Sequence, residues 1–327
     1  MGQVQRRKFL TAAGLLLAAP LGSFAQQSGR VWRIGMLETT SMAQNAANLN
    51  AFLKGMQELG YVEGRNFVID YRSADGRAER FPDLAAELVR GKVDLIVTRG
   101  TPATQAAKKS TGTIPVVAAA IGEPLMFAAS LARPGGNVTG LTPVTTDLSA
   151  KRVELLREMV PGAARIAVLL NMSNAAAPPA WKETERAARS MGVQVQLFDV
   201  RRAEDFERAF EAAVKQRANA LVVGQDGLIQ TNGKHIVELA VMHRLPAIYA
   251  ASDYVEEGGL ISLGVSYPDL YRRAASYVDK IMKGTKPGDL PIEQPTKFEL
   301  LINLKTAKAL GIAIPQSVLF RADRVIE

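Results

Sequence analysis

The chain contains two successive runs of alternating strand and helix patterns, and this duplication restricts its fold more than any other feature. In the first run, short apolar segments typical of strands lie at 33–37, 66–71, 94–98 and 115–119. Between them, apolar residues recur at helical spacing, as at Phe81, Leu84, Ala85 and Leu88. Strands that alternate with helices of this length predict a parallel sheet with crossover helices packed on its faces.

The pattern returns 125 to 132 residues later. RIGMLETTS at 33 matches RIAVLLNMS at 165, and VDLIVTRG at 93 matches ANALVVGQ at 218. A general likeness among α/β units is the alternative explanation. Four matches in the same order at nearly constant offset favour a real duplication. We therefore predict the α/β class, with two similar doubly wound parallel-sheet lobes joined by a crossing hinge.

The predicted lobe boundaries follow from the linker-like segments. Lobe 1 comprises 31–143 plus 265–293, and lobe 2 comprises 144–264 plus 294–327. The late segment from 284 is rich in proline, leads to a strand at 298–303 and has no counterpart in the first half. We expect such late segments to run back across the hinge.

Residues 1–25 have the composition of a signal peptide. Arg6, Arg7 and Lys8 form a basic start, residues 10–24 are uncharged and mostly apolar, and small residues precede Gln26. We predict cleavage near Ala25/Gln26 and a periplasmic location. An uncleaved membrane anchor is the alternative, although the apolar run is shorter than the roughly 20 residues that span a bilayer. The start also resembles a twin-arginine signal, so both export routes remain open.

Composition excludes several classes of protein. Hydrophobic residues make up 47% of the 327 residues and charged residues 22%, which argues against disorder. The chain has no cysteine, so neither disulfides nor a lipid-modified N-terminal cysteine can form. The net charge of +8 becomes +5 without the signal segment, and no basic stripe is interleaved with aromatic residues. We therefore expect no nucleic-acid partner. We also expect the protein to be a monomer.

The segment VDLIVTRGTPATQAAK, residues 93–108, carries the most specific hint of a ligand site. Thr101 followed by Pro102 predicts a helix start with Thr101 as N-cap, and Gly100 allows close approach of the backbone. The N–H groups of residues 101–104 would suit an anion such as a carboxylate. Simple helix capping is the alternative interpretation.

The second repeat offers a group of opposite charge. Asp226 occupies the position equivalent to Gly100-Thr101, and a carboxylate there would make the cleft complementary to a zwitterion. An ordinary loop aspartate is the alternative. Strand-to-helix turns meet at the carboxyl ends of parallel strands, where ligands bind. The predicted ligand-binding residues of these turns are Thr39, Thr40, Gly100, Thr101, Thr104, Ile121, Gly122, Asn171, Ser173, Asn174, Gln225, Asp226, Ser252 and Asp253.

Aromatic residues near these turns could stack on a flat ligand, although core or rim positions are the alternative. The candidates are Trp181, Tyr249, Tyr254 and Tyr267. Enzyme signatures are poor: there is no G-x-S-x-G elbow, and His235 and His243, the only histidines, have no cysteine or acidic cluster at metal spacing. We predict no catalytic residue, metal or cofactor.

Several segments resemble the ABC-transporter substrate-binding protein family of the type I periplasmic-binding fold, which includes tryptophan-binding members. They are GMQELGYVEGRNFVIDYRSADG at 55, IPVVAAAIGEP at 114, LARPGGNVTGLT at 131 and the whole tail from 274 to 327. The resemblance implies capture of a small solute and its delivery to a membrane permease. The family often has a Tyr-Gly pair where Leu263-Gly264 stands here, and this departure weighs against an aromatic ligand.

We therefore predict a periplasmic receptor that binds an amino acid or a small carboxylate between its lobes and serves an ABC permease. An exported enzyme with its active site in the same cleft is the alternative, and an acid dyad that includes Glu38 would favour it. A ligand-sensing regulator of the same fold would need an N-terminal DNA-binding helix pair, where this chain has the predicted signal.

Overall fold

A computed structural model describes residues 30–143, 145–295 and 297–327. The predicted signal segment, residues 1–25, lies outside the described residues. The unit described below is Val31–Glu327.

Five strands rich in Val, Ile, Leu and Ala form the first sheet, which is parallel throughout and has the order β2-β1-β3-β4-β5. Two of its three inner strands, β3 and β4, are completely buried, as expected where helices cover both faces. The strands are β1 (Trp32–Glu38), β2 (Phe67–Ser73), β3 (Leu95–Arg99), β4 (Val116–Ala120) and β5 (Val138–Gly140).

The second sheet has seven strands in the order β12-β11-β10-β9-β8-β6-β7. Its segment β7-β6-β8-β9-β10 repeats the order β2-β1-β3-β4-β5, which confirms the duplicated α/β architecture. The strands are β6 (Arg165–Leu170), β7 (Gln194–Asp199), β8 (Ala220–Val223), β9 (Ala247–Tyr249), β10 (Ile261–Gly264), β11 (Glu299–Asn303) and β12 (Arg324–Ile326).

The two additional strands depart from a purely parallel lobe. β11 pairs antiparallel with β10, with Gly264 opposite Glu299. The physical reason is the direction of the chain: β10 ends at the hinge, and β11 begins where the chain returns from the hinge, so the two strands must run in opposite directions. The strand predicted at 298–303 is thus present as β11 but is antiparallel.

Helices cover both faces of each sheet. The helices are α1 (Ala46–Glu58), α2 (Phe81–Arg90), α3 (Thr101–Ser110), α4 (Thr145–Met159), α5 (Ala177–Ser190), α6 (Asp205–Lys215), α7 (Gly227–Thr231), α8 (Gly233–Met242), α9 (Asp253–Glu256), α10 (Tyr267–Met282), α11 (Leu304–Leu310) and α12 (Gln316–Leu319). Three short 3₁₀ helices occur at Ala78–Arg80, Pro124–Met126 and Pro287–Asp289.

Helix α10 follows the second sheet in sequence but packs on α1 of the first lobe. A Cβ atom on Gly55 would lie 2.7 Å from the Arg272 carbonyl oxygen, so a glycine is needed for the two helices to approach this closely. Arg272 also pairs with Glu58 at 2.8 Å. The chain therefore crosses from one lobe to the other after β5, after β10 and again after α10.

The first and third crossings are hydrogen-bonded to each other. The Thr142 amide donates to the Glu293 carbonyl at 2.9 Å, and the Glu293 amide donates to the Gly140 carbonyl at 3.0 Å. The hinge is therefore a set of paired extended segments. Among the described helices, none combines the length and the apolar character needed to cross a membrane.

Candidate functional site

The carboxyl ends of the two sheets face each other across a cleft. Turns after β1, β3 and β4 form one wall, and turns after β6 and β8 form the other. The cleft encloses about 1160 Å³ of empty space, including its open mouth.

Eight of the predicted ligand residues line this cleft and six do not. The lining residues of this set come from both lobes, and they are Thr39, Gly100, Thr101, Gly122, Asn171, Asn174, Gln225 and Asp226.

The residues of the first lobe outside the lining serve its internal structure. Thr104 Oγ1 bonds to Thr98 Oγ1 at 2.8 Å and to the Gly100 carbonyl at 3.0 Å. Ile121 is fully buried in the core. The carbonyl of Thr40 accepts a hydrogen bond from the Tyr71 hydroxyl at 2.8 Å.

The corresponding residues of the second lobe support the turns around the cleft. Ser173 Oγ donates to Asn171 Oδ1 and so orients that lining side chain. The Ser252 carbonyl accepts from the Val255 and Glu256 amides at the start of α9. Asp253 is the first residue of that helix, and burial raises the pKa of its carboxyl.

The start of α3 differs from the predicted cap. The N-cap residue is Gly100, at φ 86°, and Thr101 is the first helical residue. Thr101 Oγ1 instead accepts a hydrogen bond from the Gly122 amide at 3.2 Å and so connects two turns of the cleft wall. The Thr104 amide already donates to the Gly100 carbonyl, and Pro102 has no N–H. Among the described residues, the amides of Thr101 and Ala103 therefore remain as donors here.

Asp226 is the N-cap of α7 as well as a lining residue. Its Oδ1 accepts from the Ile229 amide at 2.9 Å, and its Oδ2 accepts from Asn171 Nδ2 at 2.6 Å. Burial raises the pKa of the Asp226 carboxyl, and these hydrogen bonds oppose the increase. The Leu228 amide and the Asn174 side chain also favour its charged form, and the residue lines the cleft where a ligand would bind.

Two arginines that sequence reasoning missed also line the cleft. Arg99 and Arg152 are 3% and 5% exposed. Both had a signal in the sequence. Arg99 ends the completely buried strand β3, and Arg152 shares the buried face of α4 with Val153 and Leu156 at helical spacing. A charged residue at such a position needs a partner, and it is a candidate for function.

Arg99 is held in a polar environment at the edge of the cleft. Its guanidinium lies 4.2 Å from the centroid of the Tyr267 ring, and Nη1 donates to Asn45 Oδ1 at 3.3 Å. Although burial alone would lower the pKa of Arg99, the neighbouring Tyr271, Tyr267 and Glu38 side chains raise it. Its Nη2 is buried without a hydrogen-bond partner among the described residues. Arg99 is thus a charged group with an unused donor.

Behind Arg99 lies a cluster of buried polar groups. The Tyr271 hydroxyl donates to Glu38 Oε2 at 2.6 Å. Burial raises the pKa of Glu38 to about 7, while Tyr271 and Arg99 oppose the increase. The lining of the cleft does not include Glu38, and the neighbours that act on it are not carboxyls. Four buried atoms of this cluster have no partner among the described residues: Glu38 Oε1, Thr40 Oγ1, Asn45 Nδ2 and Arg99 Nη2.

Of the aromatic candidates, Tyr267 lines the cleft. Tyr249 and Tyr254 stack on each other in the core, with ring centroids 5.1 Å apart. Trp181 packs against the core on the other face of the second sheet. No group of three metal-ligating side chains occurs in the described part of the chain.

The two lobes touch across the mouth of the cleft. Thr39 Oγ1 donates to Gln230 Oε1 at 3.1 Å. A Cβ atom on Gly122 would lie 2.7 Å from the Cβ of Ala176. These contacts join the walls of the cleft and correspond to a closed arrangement of the lobes.

Residues 34–326 match the family model of the ABC transporter substrate binding protein. This chain belongs to that family. A tyrosine-binding protein from Clostridioides difficile is 28% identical over 265 residues, which cover 80% of this chain and 75% of that protein. These similarities identify the protein as a solute-binding component of an ABC transporter and confirm the predicted family.

Two solved structures allow a comparison of lobe arrangement. An ABC domain in complex with L-Trp from Streptococcus pneumonia has a TM-score of 0.82 and 29% identity, over 90% of this chain and 100% of that one. A ligand-free, open substrate-binding protein from Clostridium difficile has a TM-score of 0.65 and 26% identity, over 90% and 99%. At similar identity, this substrate-binding protein agrees better with the liganded structure, consistent with a closed cleft.

Proposed function

We propose that this substrate-binding protein captures an α-amino acid or a small carboxylate between its lobes and delivers it from the periplasm to an ABC permease. The observation that carries the proposal is the pair of opposite charges in one closed cleft. Arg99, with its unused donor, belongs to the first lobe, and the Asp226 carboxylate belongs to the second. A zwitterion would satisfy both groups at once.

The relatives support an amino acid as ligand. One is named a tyrosine-binding protein, and another was solved with L-tryptophan. The polar head of such a ligand is common to all α-amino acids, whereas the side chain varies. The charged groups of the cleft therefore indicate an α-amino acid as the ligand class, but they do not indicate which side chain that amino acid carries.

In the proposed site, the amides of Thr101 and Ala103 and the Arg99 guanidinium bind the carboxylate. Asp226 accepts from the ammonium group, and charge-assisted hydrogen bonds of this kind are about twice as strong as neutral ones. Neutral polar residues of the second lobe, Asn171, Asn174 and Gln225, complete the donors and acceptors. The six predicted residues outside the lining would support the site indirectly.

We propose the lobe boundaries predicted above, 31–143 plus 265–293 and 144–264 plus 294–327. The packing of α10 on α1 and the pairing of β11 with β10 support this division. Rotation about the three crossings would open the cleft for the ligand and close it again.

The proposal also covers the location, the oligomeric state and the chemistry of the protein. The protein would be exported, cleaved near Ala25/Gln26, and monomeric, and it would bind no nucleic acid. It would have no enzymatic activity, because the carboxyl with a pKa near 7, Glu38, stands behind the cleft wall and not in its lining. Cell fractionation tests the periplasmic location, and gel filtration tests whether the protein is a monomer.

The amino-acid proposal is tested by Asp226→Asn. Asparagine keeps the shape and is also a good helix N-cap, so the fold should be retained. Loss of the charge should weaken binding of an α-amino acid by about tenfold, roughly 1.4 kcal/mol. Binding of the matching acid without the amino group should change little, since it has no ammonium to lose.

The measurement is isothermal titration of L-tryptophan, L-tyrosine and L-glutamate, each against its desamino acid. Asp83→Asn, at an exposed position on α2, is the control and should behave as wild type. Equal losses for amino acids and desamino acids would assign Asp226 a structural role. If no amino acid or carboxylate raises the melting temperature of the wild-type protein, the proposed function is wrong.

A further inference from the structure

Arg152 is a buried cation that has no anionic partner in the described part of the chain. It lies on α4, in the second lobe, and it lines the same cleft as Arg99. Its Nε donates to the Leu263 carbonyl at 2.8 Å, which ties the side chain to the end of β10. Its two Nη groups have no acceptor among the described residues, and no carboxylate in that part of the chain pairs with it. Unlike Nη2 of Arg99, these Nη groups are not fully buried, so an anionic group of a ligand in the cleft can reach them.

A second arginine on the same helix shows the difference. Arg157 lies at a partly exposed position, and its Nη1 donates to the Met191 carbonyl at 2.6 Å. It does not line the cleft. Arg152 and Arg157 thus share a helix and a residue type, but only Arg152 faces the space where the ligand would bind.

The electrostatic surroundings of Arg152 also differ from those of Arg99. Glu38 and Asp253 both act on Arg99 and favour its charged form. Burial lowers the pKa of Arg152 to about 10, and among the described side chains Tyr267 opposes this, whereas no carboxylate of that part of the chain does. The guanidinium nevertheless remains protonated at neutral pH. Judged from the described residues, Arg99 has acidic neighbours and Arg152 has none.

We infer that Arg152 is a specificity-determining residue that binds a second anionic group of the ligand, so that the preferred ligand class is a dicarboxylic amino acid. The inference rests on the proposed function and narrows it. One carboxylate would bind at Arg99 and the start of α3, the other would bind the free Nη groups of Arg152, and the ammonium would face Asp226. The charged residues of the described lining, Arg99, Arg152 and Asp226, match two carboxylates and one ammonium.

Titration of the exported chain with matched amino acids tests the inference. L-glutamate and L-2-aminoadipate carry two carboxylates, whereas L-glutamine, L-tryptophan and L-tyrosine carry one. We expect the wild-type protein to bind at least one of the dicarboxylic amino acids ten times or more tighter than each of the others. Arg152→Gln should abolish this preference, Arg152→Lys should retain part of it, and the matched control Arg157→Gln should leave it unchanged.

The outcomes separate the inference from the proposed function. Tighter binding of glutamine, tryptophan or tyrosine, or a preference that persists in folded Arg152→Gln, would overturn the role of Arg152 while leaving an amino-acid receptor in place. If Arg152→Gln does not fold, the wild-type comparison of glutamate with glutamine and of 2-aminoadipate with tyrosine still decides the ligand class. Absence of binding by every amino acid and carboxylate would overturn both.

Discussion

At the scale of single residues, the buried cluster behind the cleft determines how the protein responds to pH. Glu38 is completely buried, with one oxygen bonded to Tyr271 and the other without a partner among the described residues. Removal from water disfavours the carboxylate form more than the Tyr271 hydroxyl and the Arg99 charge favour it. Glu38 therefore titrates close to neutral pH.

This environment predicts a loss of stability with rising pH. Between pH 4.5 and about 7 the folded state retains the Glu38 proton, whereas the unfolded chain has already released it. The contribution of Glu38 to the free energy of unfolding should therefore fall through this window by up to about 3 kcal/mol and stay constant on either side. Urea unfolding over a pH series, compared between wild type and Glu38→Gln, isolates this contribution.

A second variant checks the cause. Tyr271→Phe removes the hydroxyl that favours the carboxylate, so the pKa of Glu38 should rise further and the window should extend to higher pH. Parallel pH profiles for wild type and Glu38→Gln would contradict the prediction.

At the scale of elements, each lobe sends its chain into the hinge through a glycine at the end of a strand. Gly140 ends β5 and Gly264 ends β10, which are equivalent strands of the two repeats. A Cβ on Gly140 would lie 2.0 Å from the Ala118 carbonyl oxygen, and one on Gly264 would lie 2.0 Å from the Ala250 carbonyl oxygen. Both contacts involve backbone of the neighbouring strand, which cannot move without breaking the sheet.

We therefore expect Gly140→Ala and Gly264→Ala each to lower the free energy of unfolding by about 3 kcal/mol or more. Gly136→Ala is the matched control, because a Cβ there meets nothing within 4 Å and its φ is not positive. Its effect should stay within about 0.5 kcal/mol. Chemical denaturation of the three variants measures these free energies. If Gly140→Ala and Gly264→Ala lower the free energy of unfolding no more than Gly136→Ala does, the proposed backbone clash is wrong.

Gly100 has a different role at this scale. With φ at 86°, it occupies the left-handed region that favours glycine, while an added Cβ would come no closer than 3.7 Å to its neighbours. The protein's own packing therefore leaves room for a Cβ here, and the requirement that the fold imposes at the start of α3 is conformational. Close approach of this backbone to a ligand stays a prediction.

At the scale of the whole molecule, the lobes close because small residues meet across the cleft mouth. Gly122 faces Ala176, and Gly227 faces Thr39, where a Cβ would lie 3.1 Å from the threonine Cβ and Cγ2 atoms. Larger side chains at this seam would hold the lobes apart, although each lobe keeps its own core. A mutation at this seam should therefore prevent closure of the lobes without preventing the folding of either lobe.

Gly122→Val should prevent full closure. We expect ligand affinity to fall by about tenfold or more, because the contacts that form between the lobes on closure are lost. The melting temperature without ligand should stay near that of wild type. Small-angle X-ray scattering with saturating ligand should give a larger radius of gyration for this variant than for wild type. Gly112→Val, in open space away from the cleft, is the control. A liganded variant as small as the wild-type protein would refute this role of Gly122.

The sequence by itself determined the architecture, because apolar periodicity is a local property that both repeats carry. The strands predicted at 33–37, 66–71, 94–98 and 115–119 agree with β1 to β4 to within two residues, and the matching segments at 165 and 218 located the second repeat. β5 and β7 were not among the predicted strands. The direction of β11 was not predictable in this way, since it depends on where the chain returns from the hinge.

Only the tertiary structure decided which polar residues share the cleft. Thr39 lines the cleft and its neighbour Thr40 does not, because adjacent residues in a turn point to different sides. Arg99 and Arg152 lie 53 positions apart in the chain, and no local pattern relates them. They line the same cleft because the hinge brings the end of β3 and the buried face of α4 together. The role of a buried charged residue depends on which groups surround it, and the tertiary structure determines those groups.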